Sequence, residues 1–151
     1  MLKLKIPPLL YMFMMAVVMW LLDQYLPIYN LIASPWNMLG LVFITLAIVV
    51  DGVLLLQFFH INTSINPLHP DRVNSLVVTG LYRWSRNPMY LGFLLVLFGW
   101  ATVLASVSPF IVLPLFMIIL TVQQIIPEEI ILEQKFGQEY RDYKSAVRRW
   151  I

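Results

Sequence analysis

The 151-residue sequence contains no cysteine, which excludes disulfides, thiolate metal sites and cysteine nucleophiles and leaves the redox compartment unread. Charge is scarce too: charged residues make up 12% of the chain against 60% hydrophobic residues, too few polar groups to cover a soluble domain of this size. The glycines number six, at positions 40, 52, 80, 92, 99 and 137, and no two are separated by a single residue. The G-x-G-x-x-G turn of a Rossmann-type nucleotide site is therefore absent. His60 and His69 have no cysteine and no helix-spaced carboxylate partner, so no metal site is expected. A net charge of +2 is too small to point to nucleic acid. With no internal repeat, low-complexity tract or linker, residues 1–151 read as one domain.

What is abundant is apolar chain in runs of bilayer length. The stretches run from Leu9 to about Leu26, Trp36 to about Phe59, Met89 to about Ser106 and Pro109 to about Ile126. As helices they reach roughly 27 to 36 Å, enough to cross a hydrocarbon core of about 30 Å. The expectation is an all-α polytopic membrane protein with about four transmembrane helices. The first run reads as a span and not as a cleaved signal, since it lacks an A-x-A-like cleavage site. The links Pro27 to Pro35 and Ser106 to Pro109 carry no Lys or Arg. All ten basic residues, Lys3, Lys5, Arg72, Arg83, Arg86, Lys135, Arg141, Lys144, Arg148 and Arg149, fall on the other side. The positive-inside rule then places the N-terminus, the 60–88 segment and the C-terminal tail in the cytoplasm.

The 60–88 segment contains Pro67, Pro70, Gly80 and Pro88, which favour an ordered loop with turns. Pro127 suits the first turn of a new helix, with Glu128, Glu129 and Glu133 near its positive end. Phe136, Tyr140, Tyr143, Val147 and Trp150 then recur at helical spacing, predicting an amphipathic C-terminal helix that lies on the membrane or packs against the cytoplasmic loop.

Two tracts stand out. One runs from Leu76 to Gly92 and contains Gly80-Leu81-Tyr82-Arg83-Trp84-Ser85-Arg86-Asn87-Pro88-Met89-Tyr90; the other is Glu128-Glu129 followed by Phe136-Gly137-Gln138-Glu139-Tyr140 and Tyr143. Separated by one hairpin of spans, they resemble the integral membrane methyltransferases typified by isoprenylcysteine carboxyl methyltransferase and the phospholipid methyltransferases. The likeness covers roughly residues 66–151, and the pair of tracts is specific where either alone would be weak. It implies a helical membrane enzyme that binds S-adenosylmethionine near the cytoplasmic ends of its last helices and methylates a lipophilic or small acceptor. A small-thiol or phospholipid methyltransferase is the alternative within that class, and a non-catalytic membrane scaffold is the alternative outside it.

Position by position, the resemblance puts cofactor contacts on Asn74, Ser75, Leu76, Val77, Tyr82, Asn87, Pro88, Met89, Tyr90 and Glu128. Chemistry agrees for part of this set: a sulfonium calls for aromatic faces and a carboxylate, and Tyr82, Trp84, Tyr90 and Glu128 offer them. Taken alone, these aromatics would read as an interfacial belt. Asn87 stands where the eukaryotic pattern has histidine; an amide orients a ligand but does not titrate as a base. Arg83, Arg86 and Asn87 are the catalytic candidates, with lipid phosphate as the other reading of the two arginines. Gln124 occupies the place of an arginine that engages substrate in the prenylcysteine enzyme, which favours an acceptor with little negative charge there. Asp51 lies inside the second span, where an ionisable group faces a partner or a cavity, either as a substrate-side group or as a structural one. Membrane lipids are the other expected partners, and Pro114 is expected to kink the fourth helix.

Overall fold

A computed structural model of the chain describes residues 6–61 and 76–151, with the side chains of 58–61 outside that description. Among the described residues six α-helices follow in order: α1 (Pro8–Tyr25), α2 (Leu39–Ile61), α3 (Pro88–Leu104), α4 (Val112–Leu120), α5 (Ile126–Phe136) and α6 (Gln138–Ala146). The chain is an α-helical polytopic membrane protein. Pro8–Tyr25, Trp36–Gln57 and Ser108–Phe136 are each long and apolar enough to cross a membrane, while α3 is apolar but only 17 residues long. Their outer faces carry bare apolar side chains such as Phe13, Val17, Val42, Val49, Leu115 and Ile118, which only hydrocarbon solvates without cost.

Sequence sets the starts. Pro8 and Pro88 each sit in a first helical turn, where the missing N–H would have had no intrahelical partner. The α2–α3 pair is drawn together by glycine. Gly40 and Gly99 abut, so that a methyl group on either would collide with the backbone of the other helix, and Gly92, seven residues before Gly99, abuts Asp51. Close backbone approach replaces the hydrophobic effect as the source of helix association in lipid. Between α3 and helices α1 and α4, Met19, Leu97, Ala101, Phe116, Leu120 and Ile125 form a core with no exposed surface. The Trp100 indole donates to the Ala16 carbonyl at 3.1 Å, tying α3 to α1.

One end of the bundle is closed by local polar contacts. Ser106 Oγ donates to Asp23 at 2.6 Å, Asn37 Nδ2 donates to the Val103 carbonyl at 3.0 Å, and an isolated bridge pairs Asn30 with Ser106. The opposite end holds all of the described basic residues, from Arg83 to Arg149; Lys3, Lys5, Arg72 and His69 lie outside the described residues, as does the His60 side chain.

Two expectations about the last third need correction. Pro127 does sit in the first turn of α5, but α5 has no free start, because the helical run continues from Ser108 to Phe136 through a π turn at Thr121–Ile125. The π turn widens the ladder just before Pro127, whose ring would otherwise crowd the preceding turn, and Ile126 N–H bonds back to the Thr121 carbonyl. Glu128 and Glu129 therefore lie within a helix and not at a free N-terminus. The tail is also not one helix: Gly137, at φ 54°, separates α5 from α6, and Val147 is extended. The aromatic stripe still turns inward, with Tyr140 only 2% exposed. Of the two placements expected for it, the structure shows packing on the loop before α3, since the Tyr143 hydroxyl donates to the Tyr82 carbonyl at 2.8 Å.

Candidate active site

The site lies where the C-terminal part of α2, the start of α3 and the π turn meet. A short 3₁₀ turn, Gly80–Arg83, delivers Tyr82. Gly80, at φ 62°, rests against the Gln57 side chain of α2, where a Cβ would stand 3.4 Å from Gln57 Oε1. Tyr82 is half-buried, and burial pushes its hydroxyl well above the ordinary tyrosine range, with the charges of Tyr143, Glu128 and Asp51 adding to the shift. Tyr82 is thus within electrostatic reach of both carboxylates.

Two residues into α3, Tyr90 is 8% exposed and its hydroxyl donates to Glu128 Oε1 at 2.7 Å. Gln124, one turn before Glu128 and without exposed surface, hydrogen-bonds with both side chains. Asp51 enters from α2 against Gly92, and its Oδ1 is buried with no hydrogen-bond partner among the described residues. Asp51, Tyr82, Tyr90, Gln124 and Glu128 therefore assemble from four separate segments into one acidic and aromatic wall.

The cations are kept apart from it. Glu129, the neighbour of Glu128, accepts Nε and a terminal nitrogen of Arg149 at 2.9 and 2.8 Å and a terminal nitrogen of Arg86 at 3.1 Å. This knot holds the C-terminal tail across the start of α3. There, Arg86 N–H donates to the Arg148 carbonyl at 3.0 Å, Asn87 Nδ2 donates to the Arg149 carbonyl at 2.9 Å, and Asn87 N–H donates to Ser85 Oγ at 3.0 Å. Trp150 adds a bond from its indole to Thr121 Oγ1, 3.3 Å away, at the beginning of the π turn.

The candidates singled out from sequence thus divide into two groups. Tyr82, Tyr90, Gln124, Glu128 and Asp51 come together. Arg86 and Asn87 are engaged by the tail, Arg83 is exposed, Pro88 is buried, and Leu76, Val77 and Met89 are half-buried on the approach to α3. Asn74 and Ser75 lie outside the described residues. Among the described residues no group of three His, Asp or Glu side chains is arranged to hold a metal ion. Sequence reasoning missed the tail: Glu129 and Arg149 stand 20 residues apart with no periodic pattern to link them, and only the Glu128-Glu129 doublet marked one partner.

Comparison with known proteins bears on the same segments. The phospholipid methyltransferase family matches residues 35–139, which includes all five wall residues. An uncharacterized protein of Haemophilus influenzae is 43% identical over 63 residues, covering 42% of this chain and all of that one. The protein-S-isoprenylcysteine O-methyltransferase of Saccharomyces cerevisiae is 39% identical over 79 residues, covering 48% of this chain and 30% of that one. The chain thus spans less than a third of the yeast relative. No solved structure matches it. With the family match extending over well more than half of its length, the chain belongs to the phospholipid methyltransferase family of membrane methyltransferases.

Proposed function

We propose that the protein transfers a methyl group from S-adenosylmethionine to a lipophilic or small acceptor at the cytoplasmic face of the membrane. The observation that carries this reading is the buried Tyr90–Glu128 pair beside Tyr82 and Asp51. Two carboxylates and two phenol rings, with Arg86 and Arg149 held by Glu129, fit a sulfonium cation, which is attracted to ring faces and to negative charge. When bound, the cofactor supplies an electrophilic methyl group. Glu128 and Tyr90 hold its cationic part, Tyr82 presents a ring, and Asn74, Ser75, Leu76, Val77, Asn87, Pro88 and Met89 complete the contacts that the family resemblance implies. The barrier to such a displacement falls mainly through alignment and exclusion of water, which the buried setting of Tyr90 and Gln124 favours. Gln124 adds no positive charge, so the site suits an acceptor with little negative charge.

Calorimetric titration of the detergent-solubilised protein with S-adenosylmethionine and with its demethylated product tests this directly. Binding is expected for both, and Glu128→Gln weakens it by about 1 to 3 kcal/mol, the range for a buried polar partner left unmatched. Folded protein that binds neither compound refutes the reading.

A further inference from the structure

We infer that Trp150 is a positioning residue of the candidate site: with the extended tail before it, it sets the distance between Tyr90 and Glu128 and thereby the affinity for a sulfonium. The inference rests on the methyltransferase reading above and gives a role in that site to a segment outside the wall. Tyr90 and Glu128 stand on helices with little else to keep them in register. α3 packs chiefly on α2, with lesser contacts to α1 and α4, while its backbone scarcely approaches that of α5. A 2.7 Å hydrogen bond between two such helices keeps its length only if both are fixed from outside, because bond strength falls steeply with distance and angle.

The tail fixes them from two sides. Asn87 is the N-cap residue of α3, where asparagine ordinarily turns its side chain onto the first free N–H groups of its own helix. It makes no such cap here, and its amide goes instead to the Arg149 carbonyl at 2.9 Å, a carbonyl that Ser85 Oγ also reaches at 3.4 Å. A favoured local bond is thus given up for one to a residue 62 positions away. On the other side, the half-buried Trp150 ring packs against the core, and its indole N–H donates to Thr121 Oγ1 at 3.3 Å. That hydroxyl donates in turn to the Met117 carbonyl at 2.7 Å, and Thr121 begins the π turn that carries Gln124, which hydrogen-bonds with both Tyr90 and Glu128. Adjacent residues of one extended segment therefore hold the head of the Tyr90 helix and the turn before Glu128. With a single peptide unit between the two attachments, these elements separate only if a bond breaks or the ring is unseated. Without Trp150 the pair is correctly set in only a fraction of molecules, and the apparent affinity for a ligand that needs the pair falls by that fraction.

The test measures S-adenosylmethionine binding by calorimetry in detergent for Trp150→Ala and Trp150→Phe, each made in the wild-type chain and in Glu128→Gln. Trp150→Ala is expected to weaken binding about tenfold in the wild-type background and no more than about twofold in Glu128→Gln, where the group it positions is already gone. Trp150→Phe keeps a ring and loses the bond to Thr121, and its affinity is expected to fall between those of wild type and Trp150→Ala. A folded Trp150→Ala protein that binds as wild type does overturns the inference. So does an equal loss in the two backgrounds, which is what a general loosening of the fold would give. Where Trp150→Ala does not fold, Trp150→Phe decides in the same way: a loss of about threefold confined to the background with Glu128 supports the inference, and no loss or an equal loss overturns it. Folded wild-type protein that binds no S-adenosylmethionine strikes the methyltransferase reading itself, whereas binding without coupling between Trp150 and Glu128 strikes this inference alone.

Discussion

Replacing Glu129 with alanine should be among the most damaging single changes in the chain, although Glu129 does not face the candidate site. Its side chain is 8% exposed and receives two guanidinium groups. Arg86 is equally buried, and its Nε and Nη1 already have no hydrogen-bond partner, so the ion pair at 3.1 Å is the only side-chain contact the described structure gives its charge. Removing Glu129 leaves that charge uncompensated in a dry setting, a loss of about 3 to 5 kcal/mol. Arg149 is 34% exposed and relaxes into water when freed. Arg149→Ala, which leaves Arg86 and Glu129 paired, should therefore cost only about 1 kcal/mol, near the value for exposed pairs. The assay is reversible unfolding in mixed micelles for Glu129→Ala, Arg149→Ala and the double variant Glu129→Ala/Arg86→Met. The double variant should recover much of the loss because no buried charge is left alone. Equal stabilities for Glu129→Ala and Arg149→Ala would refute the reasoning, as would a double variant no better than Glu129→Ala.

Further expectations follow from other parts of the fold. Cysteines introduced as Asn30→Cys and Ser34→Cys, both at exposed positions, should be labelled from outside intact cells and Ser145→Cys should not; labelling of the last from outside reverses the orientation. Ser108 is a poor probe for this purpose, being 2% exposed. Gly99→Val should cost about 1 to 3 kcal/mol by overpacking, because a Cβ there meets the Gly40 carbonyl and the Ile44 backbone, and unchanged thermal unfolding would count against a glycine-driven α2–α3 contact. Burial pushes the Tyr143 hydroxyl up to about 12. The folded state then holds its proton where the unfolded chain releases it, so this stabilisation is complete below about pH 10 and is lost as pH rises through about 12. Tyr143→Phe should be less stable than wild type at pH 7 by about 0.5 to 1.5 kcal/mol and lose less between pH 10 and 12; parallel pH curves for the two proteins would contradict this.

How far the sequence alone reaches depends on the range of the interaction. The spans were legible because apolar periodicity and charge placement are properties of one segment at a time, and lipid rewards them segment by segment. Tyr82, Tyr90 and Glu128 were grouped through the family resemblance, and the bond between Tyr90 and Glu128 agrees with that grouping. The knot of Arg86, Glu129 and Arg149 was not legible: a charge on a segment outside the spans looks the same whether it faces water or a partner 20 residues away, and only three-dimensional packing decides between them. The stripe from Phe136 to Trp150 correctly marked an inward face, yet its spacing did not reveal that Gly137 interrupts the helix or that Val147 leaves it. Helical spacing of five side chains is shared by a helix and by any broken path that keeps turning the same side chains inward, and glycine at positive φ is what separates the two.

The π turn at Thr121–Ile125 joins these threads. In an uninterrupted α-helix, Pro127 would crowd the carbonyl four residues earlier, and the chain would kink or stop there. Widening the turn by one residue keeps the helix running to Phe136 and sets Gln124 in the same hydrogen-bonded group as Glu128 and Tyr90. A widened turn is a weak point, and it is supported from outside: Trp150 donates to Thr121 at its first position, while Arg149 grips Glu129 two residues after Pro127. The same tail, through the carbonyl of Arg149, holds Asn87 at the head of α3. The helix that carries Glu128 and the helix that carries Tyr90 are therefore aligned by one strand of C-terminal chain. The 2.7 Å bond between them depends on residues that touch neither the cofactor nor the acceptor in the proposed reaction.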